Sequence, residues 1–211
     1  DDVASIIYTS GTSGEAKGVV LTHANIATNI AAMLRRIDLN STDTALSFLP
    51  LSHVLERSGG HFALWSVGAT IAYAESVDAV PQNLLEVRPR LLISAPRLYE
   101  KLNARMLAAV EQAPPWRRKL FFWAQAVGRE RVQRQQTGES FPLALRLRCG
   151  IADQLVFKKL RARLGGRVRT MISGGAPLSA SIAEFFCAAG LPILEGYGLT
   201  ETAPVLCLSP R

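Results

Sequence analysis

Histidine and cysteine are scarce in this chain, with three of each among 211 residues. Cys149, Cys187 and Cys207 stand far apart and show no metal-type spacing. That excludes a zinc or iron–sulfur framework built on them and fits a reduced, cytosolic protein. No signal peptide is recognisable, and no apolar run is long enough to span a bilayer. Acidic residues are also short, 17 against 24 basic ones, for a net charge of +7. Most of that surplus falls between Arg117 and Arg169. A basic patch can address nucleic acid, an anionic membrane surface or a phosphate-rich ligand. No helix-turn-helix, zinc-finger or RNP-type aromatic motif accompanies it, which argues against nucleic acid. Hydrophobic content of 48% with 19% charged residues is ordinary for a globular protein, and this length can bury a core in one or two domains. The chain begins at Asp1 without a methionine and stops at Arg211 just after an apolar run, so it reads as a piece of a longer protein.

What is present is most distinctive near the start. An apolar run, Val3 to Ile7, reads as a buried strand. It leads into Tyr8-Thr9-Ser10-Gly11-Thr12-Ser13-Gly14-Glu15-Ala16-Lys17-Gly18, and a second apolar run follows, Val19 to Leu21. Glycines let backbone turn tightly and approach a ligand closely, hydroxyls and free N–H groups are neutral donors, and Lys17 adds one mobile positive charge. That is the chemistry of a phosphate cradle. The plain alternative is a flexible Ser/Thr/Gly hairpin loop. The common NTPase P-loop is excluded, because Gly14 precedes Lys17 by three residues and Gly18 stands where a metal-binding hydroxyl is needed.

The rhythm beyond the loop is that of an α/β protein. Capping residues at Thr22 to Asn25 precede a helical pattern over Ile26 to Ile37. Strands are expected at Thr44 to Leu49, Ala69 to Tyr73 and Leu91 to Ala95, with helices from about Leu55 to Ser66 and near Pro81 to Val87. From Pro96 to Leu164 nearly everything is helical in pattern. The alternation then resumes with a strand at Val168 to Ile172, a helix from about Ser179 to Ala189 and a strand at Pro192 to Leu194. Such alternation predicts layered, largely parallel sheet flanked by helices, with a helical insertion at about 97–164.

Two further stretches carry chemistry. In Leu49-Pro50-Leu51-Ser52-His53-Val54-Leu55-Glu56-Arg57, a histidine follows a strand-ending proline. Open α/β sheets bind ligands at that end of their strands. Alone, His53 reads first as a hydrogen-bonded structural histidine and only second as a functional one. The other stretch is in two parts. Ile172-Ser173-Gly174-Gly175-Ala176-Pro177-Leu178 is a strand entering a glycine turn, where a flat ring can lie on bare backbone, or else a plain βα turn. Glu195-Gly196-Tyr197-Gly198-Leu199-Thr200-Glu201-Thr202 offers an aromatic that could stack on a purine, then a hydroxyl and a carboxylate of the kind a magnesium–triphosphate accepts. An acidic turn without a ligand is the bland reading.

Together, in this order, the three motifs resemble those of the adenylate-forming (AMP-binding) superfamily: acyl-CoA synthetases, luciferase and peptide-synthetase adenylation domains. The Glu-Arg after His53 and the Pro96-Arg97…Glu100-Lys101 pattern look most like long-chain fatty acid–CoA ligases, as does the long helical insertion. The resemblance covers essentially the whole chain. It implies that Thr9, Ser10, Gly11, Thr12, Ser13, Gly14 and Lys17 hold the β- and γ-phosphates of ATP. It implies that Gly174, Gly175, Ala176, Glu195, Gly196, Tyr197 and Gly198 line the nucleotide, that Thr200 contacts the α-phosphate, and that Glu201 and Thr9 hold magnesium. His53 falls beside the acyl and phosphate sites. Lys17, His53, Thr200 and Glu201 are the implied catalytic set, with fatty acid, ATP and CoA as substrates.

The resemblance also implies what lies beyond Arg211: the ribose-binding aspartate and a C-terminal domain with the adenylation lysine, so this piece alone is expected to be inactive. An adenylating enzyme that delivers its acyl group to a carrier protein shares the motif set, and a non-catalytic nucleotide-binding module remains a rival. Within the insertion, Trp116, Phe121, Phe122 and Trp123 sit among six basic residues from Arg117 to Arg134. They read either as core aromatics beside a solvated basic face or as a peripheral contact with the inner face of an anionic membrane.

Overall fold

The computed structural model describes residues 2–10 and 15–209. Strand β1 (Val3–Ser10) pairs antiparallel with β2 (Ala16–Thr22), in a register that sets Tyr8 opposite Gly18 and Thr9 opposite Lys17. Helix α1 (His23–Leu34) begins one residue after β2 ends. The Thr22 hydroxyl accepts from the Asn25 N–H at 3.2 Å and the Asn25 side chain accepts from the Thr22 N–H at 3.0 Å, a reciprocal cap. This cap starts the helix three residues before its expected apolar stripe and turns Ile26, Ile30 and Met33 inward.

The first strand corrects one expectation. The largely apolar run Val3 to Ile7, interrupted only by Ser5, reads as a buried strand, yet Val3 and Ile6 are 58% and 54% exposed. Only the face carrying Ile7 and Leu21 packs, against Ile26, Ile30 and Met33. Among the described residues nothing covers the other face.

The remaining strands form one six-stranded sheet. They are β3 (Thr44–Ser47), β4 (Thr70–Tyr73), β5 (Leu91–Ser94), β6 (Thr170–Gly174), β7 (Ile193–Gly198) and β8 (Val205–Leu208), in the order β4-β3-β5-β6-β7-β8. The first five in that order are parallel, and β8 runs antiparallel to β7. The expected largely parallel α/β sheet is thus present. Central β5 and β6 are buried along their whole length, including the polar Ser94, Thr170 and Ser173, as strands covered on both faces are. The last strand motif is longer than expected: β7 continues through Glu195-Gly196-Tyr197-Gly198 because Gly196 and Gly198 pair with Leu208 and Val205.

The helix expected at Leu55 to Ser66 opens as a wide, π-helical stretch, Leu55–Phe62, and continues as α2 (Ala63–Ser66). Its interior requires small residues, since a Cβ on Gly60 would stand 2.7 Å from the Glu56 carboxylate. Helix α3 (Val80–Val87) precedes β5. The insertion consists of α4 (Pro96–Glu111), α5 (Pro115–Thr137) and α6 (Leu143–Ala152), then a π-helical turn, Asp153–Phe157, and α7 (Lys158–Ala162). Helix α8 (Ala180–Ala188) returns the chain to the sheet.

One large cluster joins these layers, with Leu92 and Met171 from the sheet, Tyr99 and Leu102 from α4, Phe121 from α5 and Phe186 from α8. Tyr99 is its polar anchor. Its buried hydroxyl donates to the carbonyls of Ile172 at 2.7 Å and Leu92 at 3.1 Å, fixing α4 against β5 and β6.

Candidate active site

The carboxyl ends of the parallel strands are where a doubly wound sheet presents loops to a ligand. A cavity of about 340 Å³ opens there, between β6, β7, the β1 end and the π-helical stretch. Thr9 and Ser10 reach it from β1, His53 from the turn after β3, and Gly174 and Gly175 from the end of β6. Gly196, Tyr197 and Gly198 contribute from β7, with Thr200 and Glu201 from the turn that follows. Stretches from near the two ends of the chain thus meet around one space.

The local architecture explains why those residue types are needed. Gly174 and Gly196 lie opposite each other on adjacent parallel strands, making a ledge of bare backbone. A Cβ on Gly174 would press on Leu55 at 3.3 Å. Tyr197 beside that ledge is 61% exposed, with a ring face free to receive a partner. Gly175 turns the chain away at φ +83°, a conformation that disfavours side chains.

The turn after β7 is a single 3₁₀ turn, Thr200–Thr202. Its two threonines have separate jobs. The Thr202 hydroxyl donates to the Leu199 carbonyl at 2.9 Å and also meets the Pro204 carbonyl, which closes the turn. The Thr200 hydroxyl has no hydrogen bond, and Glu201 no ion pair, among the described residues. Both remain available to a ligand.

His53 accepts the Leu55 N–H on Nδ1 at 3.2 Å, so its neutral ring carries the proton on Nε2. His53 lines the cavity. Arg57, four residues later, is instead structural: its guanidinium donates to the Leu51 carbonyl at 3.0 Å and the Ser5 hydroxyl at 2.8 Å, tying the His53 turn to β1.

Not every expected residue reaches the cavity wall. Lys17 is exposed on β2 directly across from Thr9, close to the mouth by register. Ala176 and Glu195 are exposed and lie outside the lining. Gly11, Thr12, Ser13 and Gly14 lie outside the described residues.

Several supporting residues escaped sequence reasoning. Beneath the site, Glu56 is 2% exposed and accepts from the Ser47 hydroxyl at 2.5 Å. Burial pushes its carboxyl above the usual range, with the Ser47 bond opposing. His61 Nδ1 lies 3.9 Å from the same carboxylate, and His61 Nε2 meets the Tyr73 hydroxyl at 3.0 Å. Asn29 of α1 holds the 3₁₀ turn through the carbonyls of Thr202 and Val205. A polar residue on an otherwise apolar helix face was the one available signal for Asn29; nothing local marked Glu56 as buried.

A family model described as AMP-binding enzyme matches residues 1–211. The chain belongs to that family. Among curated relatives, the AMP-binding chain is 39% identical over 208 residues to long chain acyl-CoA synthetase 6, peroxisomal, of Arabidopsis thaliana, covering 98% of this chain and 28% of that protein. It is 36% identical over 221 residues to long-chain-fatty-acid–CoA ligase 2 of Schizosaccharomyces pombe, covering 100% of this chain and 30% of that one. The chain therefore spans about a third or less of these relatives. Among solved structures, apo MatB from Rhodopseudomonas palustris superposes with a TM-score of 0.66 at 23% identity, over 100% of this chain and 32% of that one, a likeness of fold.

The aromatics of the insertion differ in burial. Phe121 is buried and Trp123 packs against the main core, whereas Trp116 and Phe122 are 61% and 49% exposed. No helix among the described residues is long and apolar enough to cross a membrane.

Proposed function

We propose that residues 1–211 are part of the ATP-binding N-terminal domain, with a helical insertion at about 97–164, of an enzyme that activates long-chain fatty acids. The observation that carries this reading is the meeting of Thr9, Ser10, Gly174, Tyr197, Thr200 and Glu201 around one cavity at the strand ends. The names of the relatives supply the acyl class.

In this reading the fatty acid carboxylate attacks the α-phosphorus of ATP, forming acyl-adenylate and releasing diphosphate. The thiol of CoA then displaces AMP to give acyl-CoA. The chain's own residues position reactants and stabilise phosphate charge. Thr9 and Ser10, with Gly11 to Gly14 and Lys17, hold the β- and γ-phosphates. The Gly174–Gly196 ledge and Gly175 border the adenine, which stacks on Tyr197; for Ala176 and Glu195, outside the lining, that role rests on the family resemblance alone. Gly198 lets the chain pass close by, Thr200 donates to the α-phosphate, and His53 donates from Nε2 near the acyl carboxylate.

The residues present fit magnesium. Among the described residues no cluster of three or more His, Cys, Asp or Glu could hold a metal by itself. One carboxylate, Glu201, and one hydroxyl, Thr9, suit an ion that arrives on a triphosphate and keeps its waters. When bound, magnesium neutralises charge on the phosphate oxygens.

The exposed Trp116 and Phe122 support a peripheral contact with an anionic membrane surface as a finer part of this reading; vesicle binding unchanged in Trp116→Ala would remove it.

Diphosphate–ATP exchange on the full-length protein, with acids from acetate to oleate, tests the main reading. Exchange should rise with chain length and fall at least about tenfold in Glu201→Ala, the scale of a lost contact around a metal. No exchange with any acid, despite Mg-ATP binding, would leave a non-catalytic nucleotide module. Exchange without CoA-dependent thioester formation would move the acceptor to a carrier protein.

A further inference from the structure

A second cavity, of about 350 Å³, opens in the helical insertion between α4, the start of α5, the π-helical turn and α7. It shares no lining residue with the cavity at the strand ends. Its volume lies within the roughly 300–1,000 Å³ typical of small-molecule sites. The floor is apolar: Met106 and Val110 of α4, Phe121 of α5, Val156 of the π-helical turn and Leu160 of α7. The mouth is cationic, with Arg117 on one side and Lys159 and Arg163 on the other, and no acidic residue lines it. Among the described residues none of these three cations has an ion pair; the nearby Asp153 is taken by Arg161 at 2.8 Å. The Arg117 guanidinium stacks on Trp116, 5.0 Å from the ring centroid, so the indole stands at the mouth as well.

The cavity owes its shape to two interruptions of regular helix. The helical run breaks at Gln112 to Pro114 between α4 and α5. Opposite, the π-helical turn at Asp153–Phe157 widens the helix where Val156 faces the space. Such wide turns cost helix stability and occur often at functional sites.

An apolar floor beneath three unpaired cations complements a molecule with one apolar tail and an anionic head. A neutral apolar guest would leave the cations unused, and a bare anion would leave the floor wet. We propose that this cavity binds a single-chain anionic amphiphile, its chain against Val110, Phe121 and Val156 and its head at Arg117, Lys159 and Arg163.

The test uses the full-length protein and a photoreactive dodecyl phosphate carrying a diazirine on the chain, below its micellar concentration, with crosslinked peptides mapped by mass spectrometry. Labelling should fall on the peptides of residues 106–121 and 155–163. Unlabelled dodecyl phosphate should protect them, while dodecyltrimethylammonium and inorganic phosphate should not. The paired surface change Arg117→Glu with Lys159→Glu should weaken binding about tenfold or more, as loss of charge-assisted contacts does. Val156→Trp, which fills the floor, should remove the labelling, with circular dichroism confirming that it folds. Labelling confined to other peptides, equal protection by the ammonium amphiphile, or labelling unchanged in both variants would overturn the proposal. Labels at the Gly174 and Tyr197 peptides report on the other cavity, so either site can fail without the other.

Discussion

Asn29 and Val205 are joined by two hydrogen bonds across 176 residues of sequence: Nδ2 donates to the Val205 carbonyl at 2.8 Å, and the Val205 N–H donates to Oδ1 at 3.2 Å. The same Nδ2 donates to the Thr202 carbonyl at 3.0 Å. Helix α1 thereby grips the turn that presents Thr200 and Glu201. Asn29→Ala leaves half-buried backbone groups unsatisfied and should cost about 1–3 kcal/mol. Asn29→Asp keeps the acceptor, loses both donors and should fall between. Denaturant unfolding measures the cost, and Mg-ATP affinity should weaken alongside.

Gly198 passes against the chain that returns from the turn. A Cβ there would fall on the Pro204 carbonyl oxygen, which is backbone and cannot swing aside. Gly198→Ala should therefore displace β7 from β8 and destabilise by about 1–3 kcal/mol, the usual range for overpacking. Nucleotide affinity should drop with it. A crystal structure of the variant showing β7 and β8 unmoved would contradict this.

Glu56 predicts a pH dependence whose sign is fixed. Burial raises its carboxyl in the folded chain above the ordinary 4.5, so the native state keeps a proton that the unfolded chain releases. The stability this confers is full below 4.5 and is lost as pH rises through the native value. Glu56→Gln retains an acceptor for Ser47 and has nothing to titrate. Melting temperatures followed upward from pH 4.5 should fall more steeply for the wild type than for the variant, with His61 intact in both.

Tyr99 should act at the alkaline end. Its buried phenol is held well above the ordinary 10 by desolvation, against the bond to Ile172. Stability is therefore unaffected below pH 10 and declines above it, where the unfolded tyrosine ionises and the native one does not. Tyr99→Phe abolishes this decline and costs about 1–2 kcal/mol at neutral pH through the two lost hydrogen bonds. Unfolding curves at neutral pH and above 10 separate the two effects.

The α/β rhythm was legible because buried strands and amphipathic helices have different apolar periods, and the Gly-Ser-Thr and Gly-Tyr-Gly stretches were legible because ligand contact by bare backbone demands glycine. Boundaries were less so. β7 runs on through Gly198 because β8 is there to pair with it, and no residue near Gly198 announces the strand that begins at Val205. The apolar Val3 to Ile7 run misled in the opposite direction, since periodicity counts the apolar residues of a strand and is blind to whether a neighbour covers them.

Motif residues and supporting residues divide along the same line. Thr9, Tyr197, Thr200 and Glu201 stand in short, compositionally unusual stretches, and their chemistry is a property of the local string. The sequence alone determined those groups, the family they mark and the helical character of the insertion. Glu56, His61, Asn29 and Tyr99 matter only through partners 5 to 176 residues away. Tertiary structure decided which acid is buried, which asparagine clamps the turn, and that a cationic mouth closes over an apolar floor between α4, α5 and α7. Burial and long-range hydrogen bonding depend on what the folded chain brings near, and one-dimensional order does not carry that.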